Sequence, residues 1–204
     1  MASSSFSALV QTKSIERVLG PIATQVSNLI ILNEAGVQDQ HAFPDLVSSA
    51  EHIFQTVRTL TNTGYTLAQE SSDEQLSSDM PGACRQVLEA GNNLLTAAKQ
   101  LRIDPLNATI RSILVDSAKK VLEYTVNVLL TSDDAEVRKI IHTAGAVLEK
   151  LWILQNVQSW PEFRKHFQIF NDSVSQLLML CEKRQNELVS SVKQEVIASS
   201  TAVI

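Results

Sequence analysis

Glycine and proline are scarce in this chain, six and five among 204 residues, about 5% together against roughly 12% in ordinary domains. Sheets and long loops need both residues at their turns, so their shortage argues for helices. Aromatic residues make up only 5%, which suits a Leu, Val, Ile and Ala helical core better than a β-sandwich. Basic charge is also short, with 17 Lys and Arg against 22 Asp and Glu and a net charge of −5. No basic block offers the electrostatic footprint of a nucleic-acid binder or a polybasic membrane patch. Long apolar runs are missing. Stretches such as Leu29 to Leu32 fall far short of a membrane span, so no membrane insertion is expected. Residues 1–13 contain no seven-residue apolar stretch, which speaks against a secretory leader. The two cysteines, Cys84 and Cys181, lie too far apart for a metal-type spacing and read as reduced, buried thiols of a cytoplasmic protein.

What is present is helical periodicity. Ile15, Val18, Leu19, Ile22, Val26, Leu29 and Ile30 recur at steps that draw one helix face, with Ser14 as expected N-cap and Glu16 in the first turn. Pro21 lies within this stripe, yet the phase is kept on both sides, which predicts a bent helix rather than a break. Gly36 is expected to supply the following turn. A second stripe, Leu46, Ala50, Ile53, Phe54, Val57, Leu60 and Thr61, follows Phe43-Pro44-Asp45 and should run to about Glu70. A third helix is expected after Asp79, with Pro81 in its first turn and Cys84, Val87, Leu88, Leu94, Leu95, Ala98 and Leu101 on its buried face. Gly91 lies on that face and permits close approach of a neighbour, and Asp104-Pro105 ends the helix.

The fourth stripe runs from Ile110 to Leu130 and resumes at Val137. Ser132 to Glu136 could cap a new helix, but the apolar phase across it also allows one very long helix, and local signals leave both open. The last helix opens at Ser159-Trp160-Pro161-Glu162, a capping-box pattern, and carries Phe163, Phe167, Phe170, Val174, Leu177, Leu178, Cys181 and Leu188. Beyond Val192 the pattern weakens, and Ser199-Ser200-Thr201 reads as frayed.

Chemistry-bearing motifs are missing. The sequence has no phosphate-binding glycine loop, dinucleotide fingerprint, H-E-x-x-H or calcium loop. His41, His52, His142 and His166 do not pair at helical spacing, so no metal site and no cofactor is expected. Asp133, Asp134 and Glu136 read as a solvated acidic turn. Nothing supports an enzyme.

Five strings carry a resemblance. They are Ser14-Ile15-Glu16-Arg17-Val18-Leu19-Gly20-Pro21-Ile22-Ala23-Thr24-Gln25-Val26, then Phe43-Pro44-Asp45-Leu46, then Asp79-Met80-Pro81 with the Ala-Ala-x-x-Leu-x-x-Asp-Pro that ends at Pro105. Asp134-Ala135-Glu136-Val137-Arg138-Lys139-Ile140-Ile141 and Arg184-Gln185-Asn186-Glu187-Leu188 complete the set. In this order and spacing, over residues 12–189, the chain resembles the N-terminal head segment of the vinculin/α-catenin family, closer to the vinculin branch.

The resemblance implies an all-α fold, a four-helix up-down bundle followed by a partial second bundle that shares one long helix. The implied division is a flexible segment 1–13, a first bundle 14–131, a partial bundle 132–192 and a divergent tail 193–204. It further implies a cytoskeletal adaptor at adhesion sites or cell junctions, whose first bundle takes an amphipathic helix of talin or α-actinin between its first two helices. Ile15, Val18, Ile22, Val26 and Leu29 would make one groove wall, with Pro21 easing movement of that helix. Ala50, Ile53, Val57 and Leu60 would make the other, and Arg17, Gln25 and Thr56 the rim. Alternatives within the resemblance are an α-catenin-like role with β-catenin, self-association, or a regulatory fragment that competes for partner helices. Past Leu188 the sequence departs from the family pattern. Three expectations compete there: a truncated isoform, an incomplete chain, or self-association that completes the second bundle. In each, the apolar stripe with Phe163, Phe167, Phe170 and Leu177 would lack partners within the chain.

Overall fold

Each apolar stripe read from the sequence lies on a helix. The structure, a computed structural model, describes residues 11–35 and 42–202. Among them are six helices: α1 (Lys13–Ala35), α2 (Ala42–Glu70), α3 (Glu74–Ile103), α4 (Ala108–Asn156), α5 (Trp160–Glu187) and α6 (Ser191–Thr201). The described residues contain no strand, only a single antiparallel bridge between Thr12 and Leu188. Two compact units emerge. One is Ile15–Asp133, and the other is Asp134 onward together with the described residues up to Ser14. The first holds the body of α1, α2, α3 and the front of α4, which make a four-helix bundle. The second holds the back of α4, α5 and α6, a partial bundle. The turn expected at Gly36 and most of the segment 1–13 lie outside the described residues.

Several local expectations change. Ser14 is not the N-cap of α1, because the helix already begins at Lys13. Its N–H and hydroxyl instead both donate to Glu187 Oε2, at 3.2 and 2.6 Å. Helix α3 opens before Asp79, at Glu74, and carries Pro81 in its interior. Asp73 is the cap, accepting from Leu76 N–H at 3.0 Å, while the Ser77 hydroxyl ties this first turn back to the Ala68 carbonyl at 2.8 Å. These bonds hold the turn although Pro81 lacks the N–H that would return to Ser77.

Helix α4 is continuous through Ser132. No Pro occurs within it and its first Gly is Gly145, so nothing interrupts the backbone ladder at the acidic stretch. At the start of α5, Ser159 precedes the helix but makes no side-chain cap bond. Its hydroxyl donates to Glu162 Oε2 at 2.8 Å, so the two box residues pair with each other rather than with the backbone. Ser199-Ser200-Thr201, expected to fray, instead form the last turn of helix α6 (Ser191–Thr201), which Ser190 caps. Leu177, expected on the unpartnered stripe, is buried, because it shares the inner face of α5 with Ser173 and Leu180.

Candidate functional site

The first unit buries both sequence-expected walls in its core. Ile15, Ile22, Val26 and Leu29 of α1 are buried, as are Ala50, Ile53 and Val57 of α2. Val18 and Leu60 are half-buried at the margin. Pro21 stands apart, exposed to solvent. Preceding Ile22 by one residue, it is turned about 100° from it around the axis, off the buried stripe. Of the rim residues, Arg17 is exposed, and Gln25 and Thr56 are half-buried. The Thr56 hydroxyl is satisfied within its own helix by the His52 carbonyl at 3.0 Å.

The helices are held in different ways. Helices α2 and α3 pack closely, and two glycines permit it. A methyl group on Gly64 would come within 2.6 Å of Cys84 Sγ, and one on Gly91 within 3.2 Å of Phe54 Cδ2 and 3.5 Å of Val57 Cγ1. Glycine here leaves room for side chains of the facing helix, which an added methyl would force to shift. The glycine of α1 does nothing similar, since a methyl on Gly20 would face open space.

Helix α1 is held instead by polar ties at its ends and apolar burial between them. At its start, Lys13 donates to the Asn186 carbonyl at 2.8 Å, beside the Ser14–Glu187 pair. At its finish, the Arg111 guanidinium reaches the carbonyl and side-chain oxygen of Asn33, and also donates twice to the Pro105 carbonyl, at 2.9 and 2.7 Å. The last carbonyls of a helix have no partner within the helix, so this fork supplies one. In the middle, Gln25 Oε1 is buried without a hydrogen-bond partner. Thr125 Oγ1 on α4 is the other buried side-chain atom left unpaired among the described residues. A buried oxygen of this kind costs about 1–3 kcal/mol.

Periodicity located the buried faces. It missed the Arg111 fork, for which an arginine in the first turn of a helix is no signal, since its target lies 78 residues away. Both thiols are free. Burial raises the Cys84 and Cys181 pKa values above the ordinary thiol range, which keeps both protonated and poorly nucleophilic. Among the described residues no group of three His, Cys, Asp or Glu is placed to hold a metal, and no helix is long and apolar enough to cross a membrane.

Comparison with known proteins agrees with this architecture. The model of the vinculin family matches residues 9–204. Vinculin from Gallus gallus and from Homo sapiens is 32% identical over 189 residues, which covers 93% of this chain and 17% of each relative. Vinculin from Drosophila melanogaster is 32% identical over 186 residues, covering 91% of this chain and 19% of the relative. The chain therefore spans less than a fifth of the length of these relatives. The solved structure of a vinculin homologue from a sponge (phylum Porifera) superposes with a TM-score of 0.82 at 22% identity, over 94% of this chain and 24% of that one. The five ordered strings, the long shared helix and the matched family model lead to one assignment: the chain belongs to the vinculin family.

Proposed function

We propose that the unit Ile15–Asp133 is the docking bundle of a non-enzymatic cytoskeletal adaptor, acting in the cytoplasm at adhesion sites. In this reading it takes an amphipathic helix of talin or α-actinin type by letting α1 yield while α2 and α3 stay together. The observation that carries it is the contrast between the glycine contacts of α2 with α3 and the defects in the middle of α1. Helices α2 and α3 are locked by Gly64 and Gly91, whereas α1 contains Pro21 and an unpaired buried oxygen at Gln25. An incoming helix with apolar anchors at three- and four-residue steps would replace the contacts that Ile22, Val26 and Leu29 make. Membership in a family of adhesion proteins supports the same reading.

Calorimetric titration of the chain with a talin-type helix tests it. A single-site curve with a negative heat-capacity change is expected, because apolar surface is removed from water. Val18→Glu and Leu60→Glu are the useful variants, since both positions are only half-buried. Each should weaken binding at least tenfold while the helical circular-dichroism signal is kept. Unchanged affinity in both folded variants would overturn the site. Capture of β-catenin together with failure of talin-type helices would move the reading to the α-catenin branch.

A further inference from the structure

Consecutive residues at the start of α1 are bonded to the connection between α5 and α6. The Gln11 carbonyl accepts from Val189 N–H at 3.1 Å, and Thr12 forms the antiparallel bridge with Leu188. Both bridge residues are buried. Lys13 and Ser14 add their bonds to the Asn186 carbonyl and the Glu187 carboxylate, and Lys193 donates to Gln11 Oε1 at 3.3 Å. These partners all come from the stretch 186–193, which belongs with residues 11–14 to the second unit. The result is a strap on the first turn of α1, since Lys13 and Ser14 are already helical.

Further along the same helix stands Gly20-Pro21. Proline has no N–H, so the Arg17 carbonyl, four residues back, loses the donor that the helix ladder would supply. The Gly20 carbonyl accepts from the Thr24 hydroxyl at 3.0 Å, a side-chain bond that competes with the same ladder. Packing does not explain the pair. Both residues are exposed, and a methyl on Gly20 would meet open space. Glycine and proline are the poorest helix formers, and sharp bends in helices gather at such residues. Beyond the pair, the interior of α1 holds the unpaired Gln25 oxygen, and its far end is tied by Arg111 at Asn33. Helix α3 carries a comparable pair, Pro81-Gly82, and a methyl on Gly82 also meets open space. There the next turn packs directly on α2, because Cys84 Sγ fills the space beside Gly64.

We infer that Gly20-Pro21 is a hinge that divides α1. The strapped start, residues 13–19, stays in place, while residues 22–35 open as one arm and release the Arg111 fork at its tip. The inference deepens the docking reading and rests on it for the purpose of the arm, which is to admit an incoming amphipathic helix. A fixed start limits the chain entropy that opening releases, so the arm recloses without the search that a helix freed at both ends would need.

Hydrogen exchange on the whole chain tests the hinge without any partner. Amides of residues 23–33 should exchange at least tenfold faster than those of Leu19 and Val189, the reverse of the order that fraying at a helix start would give. Gly20→Ala with Pro21→Ala restores good helix formers at exposed positions. The pair of changes should raise the melting temperature, bring the exchange rates on both sides of the hinge together, and weaken binding of a synthetic talin-type helix at least fivefold. Gly82→Ala makes the same kind of change in α3 and should leave the exchange difference and the affinity as they are. Thr12 and Leu188 face each other across an antiparallel bridge, a spacing that suits a disulfide. With Thr12→Cys and Leu188→Cys in one chain, the oxidised form cannot release the strap, and its affinity for the helix should match that of the reduced form. Even exchange along α1 in the parent overturns the hinge. So does loss of binding on oxidation of the cross-linked chain while its helical circular-dichroism signal is kept. A parent that binds no helix yet keeps the exchange difference overturns the docking reading and upholds the hinge.

Discussion

The contact between Gly64 and Cys84 permits a quantitative test of how α2 and α3 are held. Gly64→Ala has two opposing consequences. An alanine inside a helix is favoured over glycine by about 1 kcal/mol. The added methyl would lie 2.6 Å from Cys84 Sγ and 3.3 Å from Met80 Sδ, so one of them must shift. Overpacking of this kind costs typically 1–3 kcal/mol. Met80 can bend away along a flexible chain, but the Cys84 side chain is short and fully buried. The net expectation is a loss of about 0–2 kcal/mol. Cys84→Ala alone leaves a small void and also destabilises. In the double variant the new methyl occupies the space that sulfur vacates, so the two losses should not add. A coupling of about 1 kcal/mol or more in the favourable direction is expected. Urea unfolding of all four proteins, followed by far-UV circular dichroism, measures it. Strict additivity would refute the claim that this sulfur sets the spacing of the two helices.

Three further outcomes follow from the same structure. Arg111→Met removes the fork to Asn33 and Pro105, and should cost about 2–3 kcal/mol, with faster amide exchange confined first to the last turn of α1. Gln25→Leu replaces the unpaired buried oxygen with carbon. It should stabilise the free bundle by about 1 kcal/mol and weaken a helix that must displace α1 by about fivefold, whereas tighter binding would deny that α1 moves. Burial raises the Cys84 pKa above the ordinary thiol value of 9.0, so the folded chain holds that proton more tightly than the unfolded chain does. The stability this provides is complete below about pH 9 and is lost as pH rises through the higher folded value. Equilibrium unfolding across alkaline pH should show the loss, and Cys84→Ala should show less of it.

Much of the architecture was legible in the chain because helix formation is local. A face repeats every three or four residues, and Gly91 inside a stripe already announces a close neighbour. The apolar faces proposed as walls were legible for the same reason, since Ile22, Val26, Ile53 and Val57 recur at helical steps and lie in the core. Helix starts were harder to read. Ser14 looks like a cap and Asp79 like the residue before a helix, but Glu187 and Asp73 decide otherwise, and the first of these is 173 residues from Ser14.

The sequence by itself determined the helical class and the apolar faces. Tertiary structure alone decided how each helix is held. That depends on distances such as Gly64 to Cys84 and on the fork from Arg111 to Asn33, which join residues far apart in the chain. It also decided that Leu177 is covered while Phe167 is not. Both lie on one helix and both are apolar, and only packing against a neighbour separates a buried face from an open one.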